Sequence, residues 1–328
     1  MAMVVSGRYR VRYRAARPRR VAPRRHAVRM ATTSSSAPLV GLIGYGRMGS
    51  ALAGRLLLAG YDVVVHDIDS RCVEAARTAE CKVAGGAADL LGQGPSIVLL
   101  SLPTAGAFRR CVSDLSAGID QRSITRLTVV DISTLDLSTK EEGRASLEAG
   151  GAALVDCPVS GIASQAAAGD VVLFASGAEE DLDRCESVLR AMSRQVFRVG
   201  AFGMGSRTKF LANLLVGIHN AAAAEMLAAA ALAGLDPRLT LEAVASGAGG
   251  SRMLDVRGPQ MVAGCYGDGA TIELFRKDLG IITAFTTGIG ARNPLLNAVR
   301  ILYDEAAERG LGLAEPAAVF EVYREGEA

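Results

Sequence analysis

The chain has 328 residues, of which half are hydrophobic, 5% are aromatic and 37 are glycine, and it has no tryptophan. Its length predicts about two domains, each large enough to bury a core of its own. The high apolar content and a formal charge of only +2 exclude disorder for the bulk of the chain. The low aromatic content argues against a surface on which nucleic-acid bases stack.

The small net charge hides an uneven distribution along the chain. Residues 1–36 contain ten arginines and no acidic residue, and the rest of the chain has 26 basic against 34 acidic residues, a charge of −8. An arginine-rich, acid-free leader that ends in a Ser/Thr run is typical of an organellar transit peptide, and it lacks the apolar run of a secretory signal. We expect residues 1–36 to be a disordered transit peptide for an organellar matrix, with the chloroplast slightly favoured over the mitochondrion. A basic nucleic-acid-binding arm is the alternative.

The sequence favours neither a metal site nor a membrane span. The six cysteines form no C-x-x-C pair and the chain has only three histidines, so we expect reduced core thiols and no metal. The apolar run 211–235 contains Asn213, His219, Asn220 and Glu225, which would be costly in lipid. A buried, alanine-rich helix is the better interpretation of that run.

From Pro38 onward, short β-rich runs alternate with helical stretches. Strands are predicted at Leu39–Ile43, Asp62–His66, Ile97–Leu100, Leu127–Val130, Ala153–Val155 and Val171–Ala175. Their continuous valine and leucine runs indicate strands buried on both faces of a parallel sheet. Only helices are predicted after Val199, over 207–234, 238–246, 272–288 and 294–309. The predicted architecture is an α/β Rossmann domain with a doubly wound parallel sheet over 38–199, followed by an all-helical domain over 200–328.

A glycine-rich turn joins the first predicted strand to a helix predicted over Met48–Ala59. It has the pattern G-x-G-x-x-G and consists of Gly44, Tyr45, Gly46, Arg47, Met48 and Gly49. In this pattern the first glycine permits a tight turn, the second lets a pyrophosphate approach the backbone, and the third lets helix and strand pack closely. The N–H groups and dipole of the helix N-terminus bind the phosphates. The turn therefore predicts a dinucleotide-binding site.

Asp67 ends the second predicted strand, 18 residues after Gly49, close to the ~20 expected of an acid that binds the adenosine ribose. A carboxylate there accepts the ribose hydroxyl protons of NAD and repels the additional phosphate of NADP. Arg71 or a protonated His66 could instead pair with that phosphate. We expect NAD to be favoured over NADP.

Four separated motifs resemble those of the β-hydroxyacid dehydrogenases, the family that includes 3-hydroxyisobutyrate dehydrogenase. They are G-L-I-G-Y-G-R-M-G at 41–49, D-C-P-V-S-G at 156–161, G-M-G-S-R-T-K-F-L-A-N at 203–213 and K-D-L at 277–279. The resemblance implies a 6-phosphogluconate dehydrogenase-like fold and an oxidoreductase that acts on a CH–OH group. Hydride would pass between NAD(P) and a small β-hydroxy acid or its semialdehyde. It also implies a homodimer or homotetramer, and we expect no nucleic-acid or membrane partner.

The resemblance assigns the proton transfer to Lys209. Oxidation of an alcohol by hydride transfer needs a base for the hydroxyl proton, and burial next to a cofactor can lower the pKa of a lysine toward neutrality. Asn213 lies four residues later, hence on the same helical face, where it can orient the substrate oxygen. Without the motif, Lys209 would be interpreted as a solvated charge at the start of a helix.

Other motif positions imply the substrate and nicotinamide contacts. Ser160 and Gly161 follow a strand, where a hydroxyl and backbone N–H groups can bind the substrate carboxylate; a plain turn is the alternative. Lys277 is expected to reach the nicotinamide end or the substrate carboxylate, unless it is a surface lysine. The positions implied to touch the nicotinamide half are Leu102, Pro103 and Thr134.

Two departures from the family pattern bear on the substrate and the catalytic helix. Ile162 stands where the family usually has a second glycine, so it adds bulk and could withdraw a backbone donor from the carboxylate. Ala212 replaces the first of two paired asparagines. Imine reduction on the same scaffold and a catalytically silent NAD(P)-binding interaction protein remain the alternative functions. The retained Lys209 argues against both.

Overall fold

The structure is a computed structural model that describes residues 38–122, 127–267 and 269–324. The expected transit peptide at residues 1–36 lies outside the described residues.

The first domain is built on six parallel strands in the order β3-β2-β1-β4-β5-β6. The strands are β1 (Leu39–Ile43), β2 (Asp62–His66), β3 (Lys82–Val83), β4 (Ile97–Leu100), β5 (Thr128–Asp131) and β6 (Ala153–Asp156). The helices between them are α1 (Arg47–Leu58), α2 (Ser70–Thr78), α3 (Ala87–Gly92), α4 (Ala105–Arg122) and α5 (Leu137–Ala149). This strand order reverses direction between β1 and β4 and defines the Rossmann fold, in which ligands bind at the carboxyl ends of the strands. The predicted fold class is confirmed.

A second sheet of three strands follows the first. It consists of β7 (Val159–Ser160), β8 (Val172–Ala175) and β9 (Gln195–Arg198), with α6 (Ala163–Ala167) and α7 (Glu179–Met192) between them. β8 pairs antiparallel with β7 and parallel with β9. The run predicted at Val171–Ala175 is therefore the middle strand of this small sheet and does not extend the large one. An apolar run predicts a buried strand but does not identify its neighbours.

The second domain is helical among the residues that the structure describes. Its helices are α8 (Met204–Leu232), α9 (Pro237–Ala245), α10 (Arg252–Ala263), α11 (Ile272–Gly288), α12 (Pro294–Ala306) and α13 (Glu321–Arg324), with a 3-10 helix at Pro316–Phe320. As its sequence predicts, α9 begins with Pro237 after Asp236, whose side chain accepts the N–H of Leu239. α10 was not predicted because it contains Pro259; it is capped by Ser251, which accepts the N–H of Leu254.

Helix α8 is the centre of this domain. Within the described ranges it is the single helix whose length and composition would allow it to cross a membrane. It packs instead against α10, α11, α12 and the 3-10 helix, with Ala224 and Leu227 fully buried. The alanine-rich run thus forms a core helix, and its N-terminus contacts β6, β7 and β8.

Candidate active site

The glycine-rich turn has the geometry that a dinucleotide requires. Gly44 adopts a φ of 96°, and a Cβ there would lie 2.2 Å from the carbonyl oxygen of Ser101. A Cβ on Gly49 would lie 2.0 Å from the carbonyl oxygen of Gly44, so α1 packs directly on the turn. A Cβ on Gly46 would meet nothing within 4 Å. Gly44 and Gly49 are therefore required by packing, while Gly46 leaves the backbone open to a ligand.

The N-terminus of α1 fits an anion. Gly46 is the N-cap, no side chain caps the helix, and its first turn has no acidic residue, so the free N–H groups and the helix dipole favour a phosphate. The guanidinium of Arg47 donates a hydrogen bond to the carbonyl of Gly269 in the helical domain. The side chains of Tyr45 and Met48 pack against the core, and the Tyr45 N–H already donates to Asp67, so the N–H groups in the first turn of α1 are the ones left for a cofactor. This turn would hold the pyrophosphate of NAD(P).

Asp67 lies beside the same turn at the carboxyl end of β2. Its Oδ2 accepts the N–H of Tyr45 at 2.6 Å, and its Oδ1 accepts the N–H of Asp69 at 2.8 Å. Arg71 forms a 2.7 Å ion pair with Asp69 on the surface, and its hydrogen bonds lower the pKa of Asp69 to about 2. The acid expected at the ribose is thus in place, and the nearby arginine is already paired.

The loops that follow β4 and β5 are joined to each other and to the helical domain. The Oγ of Ser133 accepts the N–H of Leu102 at 2.9 Å. The Nζ of Lys277, on α11, donates to the carbonyl of Thr134 at 2.8 Å and lies 3.4 Å from the carbonyl of Pro103. The structure therefore brings Leu102, Pro103, Thr134 and Lys277 together at the edge of the sheet.

Lys209 and Asn213 lie on one buried face of α8, with 8% and 7% of their surfaces exposed. Lys209 makes no hydrogen bond or ion pair with any residue in the described ranges. Burial lowers its pKa to about 8; the Asp278 carboxylate opposes this shift and the Arg257 guanidinium adds to it. A lysine with a pKa near neutrality and no protein partner can both accept and donate a proton.

Asp278 also belongs to this site, although the sequence predicts a functional role only for Lys277, its neighbour in the K-D-L motif. Its Oδ2 accepts a hydrogen bond from Asn213 Nδ2 at 3.0 Å, and its Oδ1 lies 3.1 Å from Lys277 Nζ. Burial raises the pKa of Asp278, and the charges of Lys277 and Lys209 act against that rise. Asp278 thus fixes Asn213 and connects it, through Lys277, to the nicotinamide loops.

The expected carboxylate loop lies at the end of β7, which contacts α8. Gly161 has a φ of 143°, and a Cβ there would lie 2.7 Å from Val171 Cγ1, so the position requires glycine. The N–H of Ile162 donates to Gln165 Oε1 at 3.0 Å. This backbone donor is therefore occupied within the protein, and the donors that remain in the loop are the Ser160 hydroxyl and the Gly161 N–H.

A dinucleotide turn at the edge of a Rossmann sheet, together with a buried lysine on the adjoining helical domain, defines a nicotinamide-dependent oxidoreductase. Among the described residues no group of three or more His, Cys, Asp or Glu side chains could hold a metal ion.

Comparisons with known proteins identify the family. Residues 39–200 match the model of the NAD-binding domain of 6-phosphogluconate dehydrogenase, and residues 203–323 match that of the NAD-binding domain of NADP-dependent 3-hydroxyisobutyrate dehydrogenase. L-threonate dehydrogenase of Pectobacterium atrosepticum is 30% identical over 288 residues, which cover 87% of this chain and 93% of that protein. 3-Hydroxyisobutyrate dehydrogenase of Pseudomonas aeruginosa is 30% identical over 276 residues, 82% of this chain and 92% of that protein.

A solved structure agrees with these relatives. The crystal structure of 3-hydroxyisobutyrate dehydrogenase from Salmonella typhimurium superposes with a TM-score of 0.79 at 28% identity, covering 87% of this chain and 99% of that one. The chain belongs to the β-hydroxyacid dehydrogenase family and is an NAD(P)-dependent oxidoreductase. The resemblance in the four motifs is thereby confirmed.

The environment of Lys209 predicts a pH dependence. With Lys209 as the base, oxidation would require its neutral amine, so kcat/KM for oxidation should rise with pH through about 8, and that for reduction should fall over the same range. Because the Asp278 carboxylate favours the ammonium, Asp278→Asn should move this kinetic pKa downward. Profiles of kcat/KM against pH in both directions measure it, with the exposed Asp255→Asn on α10 as the matched control. An unchanged or raised pKa in Asp278→Asn would contradict the prediction.

Proposed function

We propose that the chain transfers a hydride between NAD(P) and a small β-hydroxy acid or its semialdehyde, with Lys209 as the general acid and base. The observation that carries this proposal is the buried Lys209, whose pKa burial lowers to about 8 and whose Nζ forms no hydrogen bond or ion pair with the residues that the structure describes. It lies on the helix that starts at the edge of the dinucleotide-binding domain.

Each side chain of the site has a separate role in this proposal. The bound nicotinamide supplies the hydride chemistry, accepting hydride from the carbinol carbon or returning it. Lys209 Nζ accepts the hydroxyl proton during oxidation and donates it during reduction. Asn213 is fixed by its 3.0 Å bond to Asp278 and orients the substrate oxygen. The low exposure of Lys209 keeps water away from the proton that is transferred.

The substrate carboxylate binds at Ser160 and Gly161 in this proposal. Both lie at the end of a strand that contacts α8, and the Ile162 N–H, which already donates to Gln165, takes no part. The names of the relatives support the substrate class, since threonate and 3-hydroxyisobutyrate are both small hydroxy carboxylates.

Removal of the base provides the direct test. Lys209→Ala should lower kcat by roughly 10²–10⁴-fold, the usual contribution of general acid–base catalysis, while the affinity for NADH, followed by fluorescence titration, stays near that of the wild type. Lys209→Arg is the matched control for charge, because a guanidinium does not deprotonate in proteins, and it should be equally inactive. Turnover retained by Lys209→Ala would refute the assignment.

The same assay separates the alternative functions. A panel of hydroxy acids, semialdehydes and cyclic imines is tested with the wild-type protein and both cofactors. Tight NADH binding without any turnover would favour a silent interaction protein, and turnover of imines alone would favour an imine reductase.

We infer that NAD is preferred over NADP. The Asp67 carboxylate is held beside the glycine turn by two backbone N–H groups, so a 2′-phosphate would meet a fixed negative charge. Arg71, the nearest candidate to neutralise that phosphate, is paired with Asp69.

Asp67→Asn tests this preference because it removes the charge and keeps the size of the side chain. The ratio of kcat/KM for NAD to that for NADP should fall by about tenfold or more, which corresponds to about 1.4 kcal/mol. Steady-state kinetics with both cofactors measure the ratio. Asp62→Asn, at the opposite end of β2, is the matched control and should leave the ratio unchanged. A wild-type ratio in Asp67→Asn would contradict the inference.

We propose that the protein forms a homodimer or homotetramer through the exposed face of α8. The exposed apolar residues on this face are Met204, Leu211, Leu215, Ala222, Ala229 and Leu232. They recur at helical spacing and lie on one side of the helix. The helix that follows, α9, has no buried residue. The exposed Arg207 and Glu225 flank these residues, and an apolar stripe of this length with charges beside it is typical of a surface that pairs with a second copy of itself.

Charge on this face should separate the subunits. Leu211→Glu combined with Leu215→Glu places two carboxylates one turn apart in the proposed interface, and the mass from size-exclusion chromatography with light scattering should fall to that of the monomer. Leu58→Glu at the end of α1, where the leucine is 78% exposed, is the matched control. A monomeric wild type, or an unchanged mass in the double variant, would contradict the proposal.

We also propose that residues 1–36 direct the chain to an organellar matrix, with the chloroplast slightly favoured over the mitochondrion. The ten arginines, the absence of acidic residues and the Ser/Thr run at its end support this role.

A further inference from the structure

A second buried lysine lies beside the proposed active site. Lys140, on α5, is fully buried, with its Nζ 2.9 Å from Asp131 Oδ2 and 2.7 Å from Asp156 Oδ1. Both carboxylates, at the ends of β5 and β6, are also fully buried. Burial disfavours the ammonium, but the two carboxylates outweigh it and raise the pKa of Lys140 above its usual value. We call Asp131, Lys140 and Asp156 the buried charge cluster.

Asp156 connects this cluster to the first turn of α8. Its Oδ2 accepts the N–H of Ser206 at 2.7 Å, and its Oδ1 accepts the Ser206 hydroxyl at 2.7 Å. The Ser176 hydroxyl lies 3.1 Å from both Asp156 Oδ2 and the Asp156 carbonyl oxygen, which share its proton, and it accepts the N–H of Gly205 at 2.9 Å. The helix start is also in close contact with the sheet, since a Cβ on Gly205 would lie 2.3 Å from the carbonyl oxygen of Phe174. Asp156 thus accepts the N–H of Ser206 directly, and Ser176 accepts that of Gly205, two groups that a helix N-terminus otherwise leaves free.

The same cluster reaches the loops beside the nicotinamide site. Lys140 Nζ donates to the carbonyl of Ser133 at 2.8 Å, and the N–H of Ser133 donates to Asp131 Oδ1 at 3.1 Å. Ser133 in turn holds the Leu102 N–H through its hydroxyl. One set of buried charges therefore joins the nicotinamide loops to the helix that carries Lys209, one turn beyond Ser206.

We propose that Asp156 is a positioning residue for Lys209, which it places relative to the nicotinamide loops by holding the first turn of α8. Asp156 is fully buried and acts through the helix. The physical reason is that proton and hydride transfer depend steeply on distance, so that a misplacement of about 1 Å can cost 10²-fold in rate. Charge-assisted hydrogen bonds to a buried carboxylate are short and strong, which limits such movement. This inference rests on the proposed role of Lys209 as acid and base.

Ser206→Ala tests the inference without removing a charge. It deletes the hydroxyl bond to Asp156 and leaves the backbone bond in place. We expect kcat to fall by about tenfold, while the Kd for NADH stays unchanged. The primary deuterium isotope effect on kcat should become larger, because hydride transfer becomes slower relative to product release. The kinetic pKa should rise, because a looser first turn admits water to Lys209.

The matched control is Thr208→Ala, two residues further along the same turn. The Thr208 hydroxyl donates to the carbonyl of Met204 in its own helix and does not touch Asp156, so this variant should keep the wild-type kcat, isotope effect and pH profile. Ser176→Ala is a second variant that breaks the connection between Asp156 and Gly205. It should reproduce the effects of Ser206→Ala, and it replaces that variant if Ser206→Ala does not fold.

The outcomes separate this inference from the proposed function. A lower Tm in Ser206→Ala and Ser176→Ala, together with wild-type kcat, isotope effect and kinetic pKa, would show that Asp156 only stabilises the fold and would overturn the inference. Lys209→Ala is measured in the same assay. If Lys209→Ala stays active, the proposed function fails whatever the serine variants do. If it is inactive and the serine variants behave as wild type, only the positioning role of Asp156 fails.

Discussion

The ion pair between Lys140 and Asp156 is the interaction on which the arrangement of the active site depends. Both side chains are fully buried, and loss of Lys140 would leave the carboxylates of Asp131 and Asp156 uncompensated in the core, at a cost of about 3–5 kcal/mol. Apolar residues of similar volume would often stabilise such a core equally well. What they would not supply is a set of acceptors for Ser206 and, through Ser176, for Gly205. The pair therefore determines where α8 begins, and with it the place of Lys209.

Two buried lysines in this chain have opposite properties because their neighbours differ. Lys140 is in contact with two carboxylates, which keep it charged. Lys209 makes no contact with a carboxylate in the described part of the chain, and the nearby Asp278 is already bonded to Asn213 and paired with Lys277. Burial then dominates and lowers the pKa of Lys209 to about 8. The division between a lysine that holds structure and one that can exchange a proton thus follows from the number of carboxylates within contact distance.

The sequence predicts those strands and helices whose own residues show a clear hydrophobic pattern. β1, β2 and β4 have the bounds that the sequence predicts, because each is an apolar run next to turn residues. α11 also has its predicted bounds, because its apolar residues recur at helical spacing over a long stretch. β3 and β7 were missed because strands of two residues depend on their neighbours for existence, β9 because three of its four residues are exposed, and α10 because it contains Pro259. In the site, Lys209 and Asn213 were found from a motif. Asp278, Lys140 and Asp156 were not assigned roles, because an acidic or lysine side chain is normally exposed and its burial is set by tertiary packing.

Polar connections between the domains lie at the carboxyl edge of the large sheet. They include the bond from Arg47 to Gly269, the bonds from Lys277 to the loops at Pro103 and Thr134, and the bonds from Ser206 to Asp156. Each involves a residue next to the expected pyrophosphate, nicotinamide or base. The carboxylate loop at Ser160–Ile162 is not part of these connections. The size of its side chains and its hydrogen-bond donors can therefore change, as they do at Ile162, while the distance between Lys209 and the cofactor stays fixed. In this proposal, substrate choice and catalytic geometry depend on separate parts of the structure.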